Sequence, residues 1–182
     1  MQKKKIIIIL WIILIVACFI CYVFLPKDVD IEFLRKVFSD NLYVAALIFL
    51  ILSTVRGFTL FPVSGLLIPG VLLFPPVPLF VLTLLGVVSS STLVYYFSQY
   101  LGFDLYFEEK YPKKMANLKR TIVNKEMYAI ALWSLIPIAP GDLICYIASV
   151  LHVKLWKCLV GMLVGSSVLY AVYIFGGSWI MW

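Results

Sequence analysis

The chain has 182 residues, of which 64% are hydrophobic and only 13% charged, against about half and about a quarter in soluble domains. That balance excludes a water-surrounded fold, and one domain is expected at this length. The formal net charge is +6, but the basic residues stand mostly beside the ends of apolar runs, where they report membrane orientation, so no nucleic-acid partner is expected.

Lys3, Lys4 and Lys5 precede an uncharged run from Ile6 to Leu25. Its length matches the ~20 residues needed to cross hydrocarbon, and no small-x-small cleavage pattern follows it. Residues 1–25 therefore read as an uncleaved anchor helix with a cytoplasmic N-terminus. Residues 26–42 mix Lys27, Arg35 and Lys36 with Asp28, Asp30, Glu32 and Asp40. Ile31, Leu34, Val37 and Phe38 recur there at helical spacing behind Asp30, which predicts a short helix on the membrane surface.

Residues 43–182 read as one membrane domain. From Leu42 to Phe74 the chain is almost wholly apolar, yet it holds Arg56, Gly57, Pro62, Gly65, Pro69 and Gly70. Proline removes a backbone donor and clashes with the preceding turn, so the cluster predicts two half-helices joined by a break inside the membrane. Pro75, Pro76 and Pro78 mark a turn, and Leu79 to about Leu101 reads as a full crossing helix. Gly86, Ser89, Ser90 and Ser91 within it suit the close approach of a neighbour. Residues 102–127 carry six basic residues (Lys110, Lys113, Lys114, Lys119, Arg120, Lys125) and read as a cytoplasmic loop.

From Tyr128 to Leu151 the broken pattern returns, interrupted by Pro137, Pro140, Gly141 and Asp142. Lys154 and Lys157 place its end back on the cytoplasmic side. A last crossing helix is expected from about Leu155 to Trp182. A shift of about 76 positions superposes the two broken segments and the two crossing helices, placing Gly65 on Gly141 and Ser90-Ser91 on Ser166-Ser167. Charge bias gives the two units (43–101 and 128–182) opposite topology. The expected fold is thus all-α and integral to the membrane: an N-terminal transmembrane helix, then an inverted repeat of two re-entrant helical hairpins, each followed by a transmembrane helix. The competing reading is that residues 43–61 and 128–150 are ordinary kinked crossing helices.

Away from loops and ends, Arg56 and Asp142 are the two charged residues deep in apolar sequence, one in each broken segment. A charge at a helix centre costs about 2.5 to 3.5 kcal/mol on insertion scales, so such residues face a polar cavity or each other. The planar donor fork of Arg56 suits an anionic group such as a lipid phosphate. Asp142 is a candidate protonatable residue or the partner of Arg56; simple structural pairing and, for Arg56, snorkelling to an interface are the plain alternatives. Backbone freed at Pro62 to Gly65 and at Pro137 to Asp142 is a further candidate anion element, against plain helix kinking. His152 lacks companions at zinc-like spacing, and Cys18, Cys21, Cys145 and Cys158 form neither a disulfide framework nor a metal motif. With no nucleophile elbow, phosphate loop or zinc-protease motif, no enzymatic activity, cofactor or metal is expected.

The motifs RGFTLFPVSGLLIPG (Arg56 to Gly70) and LIPIAPGDLICYIA (Leu135 to Ala148), with the glycine and serine helices that follow, resemble the VTT-domain membrane proteins, the SNARE-associated Golgi or DedA-like group, over about residues 40–180. The resemblance implies facing re-entrant hairpins and movement of lipids between leaflets, by scrambling of phospholipids or return of undecaprenyl phosphate. Asp142 and Tyr146 fit its second motif. Many relatives carry an arginine ahead of that motif and an acid in the first hairpin, where this chain has Trp133-Ser134 and no acid. The leading expectation is a lipid translocase or scramblase in the cell membrane, with membrane lipids as partners and a homo-oligomer as a candidate assembly. An ion-coupled transporter of a small solute, and a non-transporting factor for envelope integrity, are the alternatives.

Overall fold

The computed structural model describes residues 6–13, 15–17, 41–60, 63–137 and 140–181. The surface helix expected within 26–42, the C-terminal part of the anchor run and Pro62 fall outside these residues. The described residues are helical, with no strand among them. In chain order the helices are α1 (Ile6–Ala17), α2 (Leu42–Thr59), α3 (Ser64–Leu73), α4 (Pro76–Leu101), α5 (Phe103–Lys110), α6 (Pro112–Ile122), α7 (Glu126–Ser134), α8 (Leu143–Val150) and α9 (Leu155–Met181). Three of them, α2, α4 and α9 over Leu155–Gly176, are long and apolar enough to cross a membrane. The protein is a multi-pass membrane protein.

Local chemistry sets the helix ends. The Asn41 side chain accepts from the backbone N–H groups of Tyr43 and Val44 at 3.2 and 3.4 Å, satisfying donors that have no intrahelical partner. α2 stops at Leu60, whose φ of 54° is left-handed, a conformation costing an L-residue roughly 1–2 kcal/mol that neighbouring packing must offset. Trp11 of α1 helps close this end, donating its indole N–H to the Phe58 carbonyl at 2.7 Å. α4 opens on Pro76, where the missing N–H is no loss, and ends at Gly102 with φ 74°, the left-handed cap that glycine adopts freely.

The end of the bundle carrying α5 and α6 is here called the basic end. α4 runs toward it and α9 away from it, with the Phe80 and Phe175 rings 5.8 Å apart near the opposite end. α2 runs parallel to α4, since Gly86 meets Ser53 and Ser90 meets Gly57 one turn further on. α3 returns antiparallel beside the first half of α2, and the Phe49 and Phe74 rings are 5.6 Å apart. An apolar crevice of about 150 Å³ separates these two helices, lined among others by Ala45, Phe49, Leu52, Leu66 and Leu73. α7 runs parallel to α9, with Gly161 against Ile130 and Gly165 against Ser134. α8 descends beside α4 to the basic end, where the Tyr95 hydroxyl donates to the Val153 carbonyl at 2.6 Å.

Residues 102–127 are not a plain loop but the two helices α5 and α6. Asp104 in the first turn and Lys110 in the last complement the dipole of α5, and Pro112 starts α6 while Lys119 and Arg120 close it. Glu108 accepts from Lys119 and lies 3.6 Å from His152 Nε2. The Lys119 hydrogen bond and charge, with His152 adding to them, hold the Glu108 carboxyl below its ordinary value of 4.5. A carboxyl depressed in the folded state contributes stability that is present above its unfolded value and lost as the pH falls through the folded one. Acidification below about pH 4.5 is therefore expected to loosen α5 against α6. Faster amide exchange confined to residues 103–122 at low pH, absent in Glu108→Gln, is the expected record.

Candidate functional site

Arg56 sits in the last turn of α2, about 21 Å from Leu42 at the helical rise, and it is 7% exposed. Asp142 immediately precedes α8 and is 1% exposed. The structure brings them together: Arg56 Nη1 lies 3.4 Å from Asp142 Oδ2. The other carboxylate oxygen, Oδ1, accepts from the Ser90 hydroxyl at 2.8 Å. Ser90 lies near the middle of α4, about 21 Å from Pro76 and about 17 Å from Leu101, so the pair is deep inside a hydrocarbon layer about 30 Å thick.

Three elements thus converge on one carboxylate, and glycine makes the convergence possible. A Cβ on Gly57 would lie 2.1 Å from Ser90 Oγ, 2.9 Å from Val94 Cγ2 and 3.3 Å from Asp142 Oδ1. Any larger residue there displaces the hydroxyl that bonds Asp142. Tyr170 of α9, 3% exposed, lies within electrostatic reach of both charges, so the second crossing helix closes the site.

The charges are incompletely satisfied. Arg56 Nη1 is buried without a hydrogen-bond partner among the described residues, although the carboxylate is close enough to neutralise it. Taking two ions out of water costs several kcal/mol each, and their attraction repays this only with well-formed hydrogen bonds. This pair has an unused guanidinium donor, an arrangement suited to an anion that needs one. Removing the Ser90 hydroxyl deprives Asp142 of a charge-assisted bond of about 1.5–3 kcal/mol. Ser90→Ala is accordingly expected to lower the unfolding temperature by several degrees, while Thr92→Ala, whose hydroxyl bonds its own helix at Val88, changes it much less.

Of the other candidates, Tyr146 stands one turn along α8 from Asp142 and is buried. Gly65 lies in the first turn of α3 and Gly141 directly before Asp142, both half-buried, whereas Pro137 is exposed. The Pro140 carbonyl accepts from Trp133 Nε1 at 3.4 Å. The N–H groups of Leu143, Ile144 and Cys145 are bonded to the carbonyls of Pro140, Gly141 and Asp142, so this helix start does not present them to an anion. His152 is exposed at the basic end, and no group of three or more metal-ligating side chains occurs among the described residues. The sequence marks Ser90 as a helix-packing residue, and its place in an unbroken run of serines in mid-helix is the one hint of its second use.

A family model, the VTT domain, matches residues 61–179, a span that contains Ser90, Asp142 and Tyr170. The chain belongs to the VTT-domain family. The matched VTT domain begins just after the α2 turn that carries Arg56, so it starts later than the resemblance over residues 40–180. No curated protein and no solved structure matches the chain. Within the VTT domain the start of α8, the middle of α4 and α9 bring Asp142, Ser90 and Tyr170 to the site; α2, outside the match, supplies the arginine.

Proposed function

We propose that this VTT-domain protein is a translocase or scramblase for anionic lipids, with Arg56 as the phosphate-binding residue and Asp142 as its resting counter-ion. The observation that carries the reading is the buried Arg56–Asp142 pair with a guanidinium donor left unpaired among the described residues. A lipid phosphate reaching the pair takes the position of the carboxylate on Arg56, and Asp142 keeps its bond to Ser90. The apolar crevice between α2 and α3 suits an acyl chain trailing from such a headgroup. A phospholipid and undecaprenyl phosphate share this chemistry.

In this reading α2–α3 and α7–α8 are re-entrant hairpins entering from opposite faces, with residues 102–127 and the N-terminus in the cytoplasm. Two features support it. Helices α3 and α8 each pack against the crossing helix of the other unit, α9 and α4 respectively. The small-residue contacts also correspond: Gly86 on Ser53 and Ser90 on Gly57 in the first unit, Gly161 on Ile130 and Gly165 on Ser134 in the second. Each pair of contacts is one helical turn apart, so in each unit the first helix runs parallel to the crossing helix it packs on.

The test is leaflet exchange. Vesicles containing purified protein and fluorescent phosphatidylglycerol are expected to lose signal from both leaflets after addition of a membrane-impermeant reductant, whereas protein-free vesicles lose about half. Loss of only half in both samples overturns the proposal, and uptake of a soluble anion by the same vesicles would point to the small-solute alternative.

A further inference from the structure

Apart from Arg56 Nη1, the buried side-chain polar atoms without a hydrogen-bond partner among the described residues are the hydroxyls of Ser91, Ser98 and Tyr146. Ser91 and Ser98 lie on α4 and Tyr146 on the adjoining α8. On α4, Ser91, Tyr95 and Ser98 recur at helical spacing on one face, and Tyr146 and Ser149 do so on α8 below Asp142. Ser149 donates to the Tyr95 carbonyl at 3.0 Å. The seam begins at Asp142 and ends at the basic end, where His152 Nε2 lies 3.8 Å from Asp104 Oδ2 and 3.6 Å from Glu108 Oε1.

These hydroxyls are enclosed, Ser91 and Ser98 being 0% and 1% exposed and Tyr146 5%. An unmade hydrogen bond at such a site costs about 1–3 kcal/mol, and three along one seam would be a heavy penalty for packing that alanine and phenylalanine would serve without it. Nearby groups relieve it only weakly: the Cys145 thiol beside Ser91 is a poor acceptor, and the Trp11 N–H beside Tyr146 donates to the Phe58 carbonyl. Toward the opposite end, Thr83 on α4 satisfies its hydroxyl on its own helix at Leu79. Among the described residues the polar surplus therefore runs from Asp142 in one direction.

We infer that the α4–α8 seam holds a file of ordered water that hydrates Asp142 from the basic end and not from the other. Buried waters typically make about three hydrogen bonds to groups otherwise left unpaired, and spaced hydroxyls between a carboxylate and a charged mouth supply such partners. The inference is independent of what the protein transports, and its tests do not involve lipid exchange.

Two measurements decide it. Hydroxyl radicals produced by radiolysis of water modify side chains that touch bound water. In unmodified protein in nanodiscs, Tyr146 is expected to react at least ten times faster than equally buried Phe49, and Ser98→Ala to slow it several-fold. Separately, a Ser98→Cys variant with Cys18, Cys21, Cys145 and Cys158 replaced by alanine, in vesicles of known sidedness, is expected to react with a small charged methanethiosulfonate only from the face bearing Lys113 and Lys114. Tyr146 reacting no faster than Phe49 overturns the water file. Reaction of the Ser98→Cys thiol from the opposite face overturns its direction.

Discussion

Arg56→Met is expected to abolish lipid exchange and to destabilise the protein by about 3–5 kcal/mol, because it leaves the Asp142 carboxylate buried with Ser90 as its one side-chain donor among the described residues. Asp142→Leu should do the same from the other side, stranding a guanidinium in a site that is 7% exposed. The double variant separates two roles for the pair. Replacing both charges by apolar residues of similar size is often neutral or stabilising, so Arg56→Met/Asp142→Leu is expected to regain most of the lost unfolding temperature. Exchange should nevertheless stay at the protein-free level, because nothing remains to bind phosphate. Thermal unfolding in detergent and exchange in vesicles, measured on all four proteins, read the two effects independently. Recovery of exchange in the double variant would make the pair a strut between helices and remove it from transport.

The second large effect is expected at Gly165. A Cβ there would lie 2.3 Å from the Ala131 carbonyl oxygen and 2.7 Å from Ser134 Cβ, and the first of these belongs to backbone, which cannot rotate away. Overpacking typically costs about 1–3 kcal/mol, and a leucine at this contact must push α7 off α9 altogether. Gly165→Leu is expected to prevent accumulation of folded protein, and Gly165→Ala to lower the unfolding temperature markedly. Gly176 supplies the contrast, since a Cβ there meets nothing within 4 Å. Gly176→Ala should be neutral or stabilising by up to about 1 kcal/mol through helix propensity.

Much of this arrangement is legible in the residues. Long apolar runs mark α4 and α9 because a crossing helix must satisfy its backbone internally and its side chains in oil. Glycine and proline mark the interruptions at Leu60–Val63 and Leu135–Asp142, and two lone charges mark the site because charge in hydrocarbon is too costly to be incidental. Less legible is what a residue does when several uses share one composition. Ser90 looks like a spacer for helix contact and is both that, against Gly57, and the donor to Asp142. The helices of residues 102–127 were hidden because a dense run of lysines reads first as orientation, while the capping that makes them helical depends on single residues such as Pro112. The resemblance implies an acid in the first hairpin and an arginine ahead of the second motif; here the opposite charges face each other with the signs exchanged between the segments.

The brevity of α3 and α8 bears on the lipid around the protein. At about 1.5 Å per residue they rise only about 15 and 12 Å, roughly half the hydrocarbon depth. In the proposed hairpin arrangement each stops where a full-length neighbour continues and presents a wall shorter than the hydrocarbon is deep. Lipid adjusts to such short walls by thinning, and water and headgroups follow the dimple inward. If the protein moves lipids as proposed, a phosphate starting from the bottom of such a dimple has less oil to cross, so the shortness of these two helices would lower the barrier to flipping before any side chain touches the lipid.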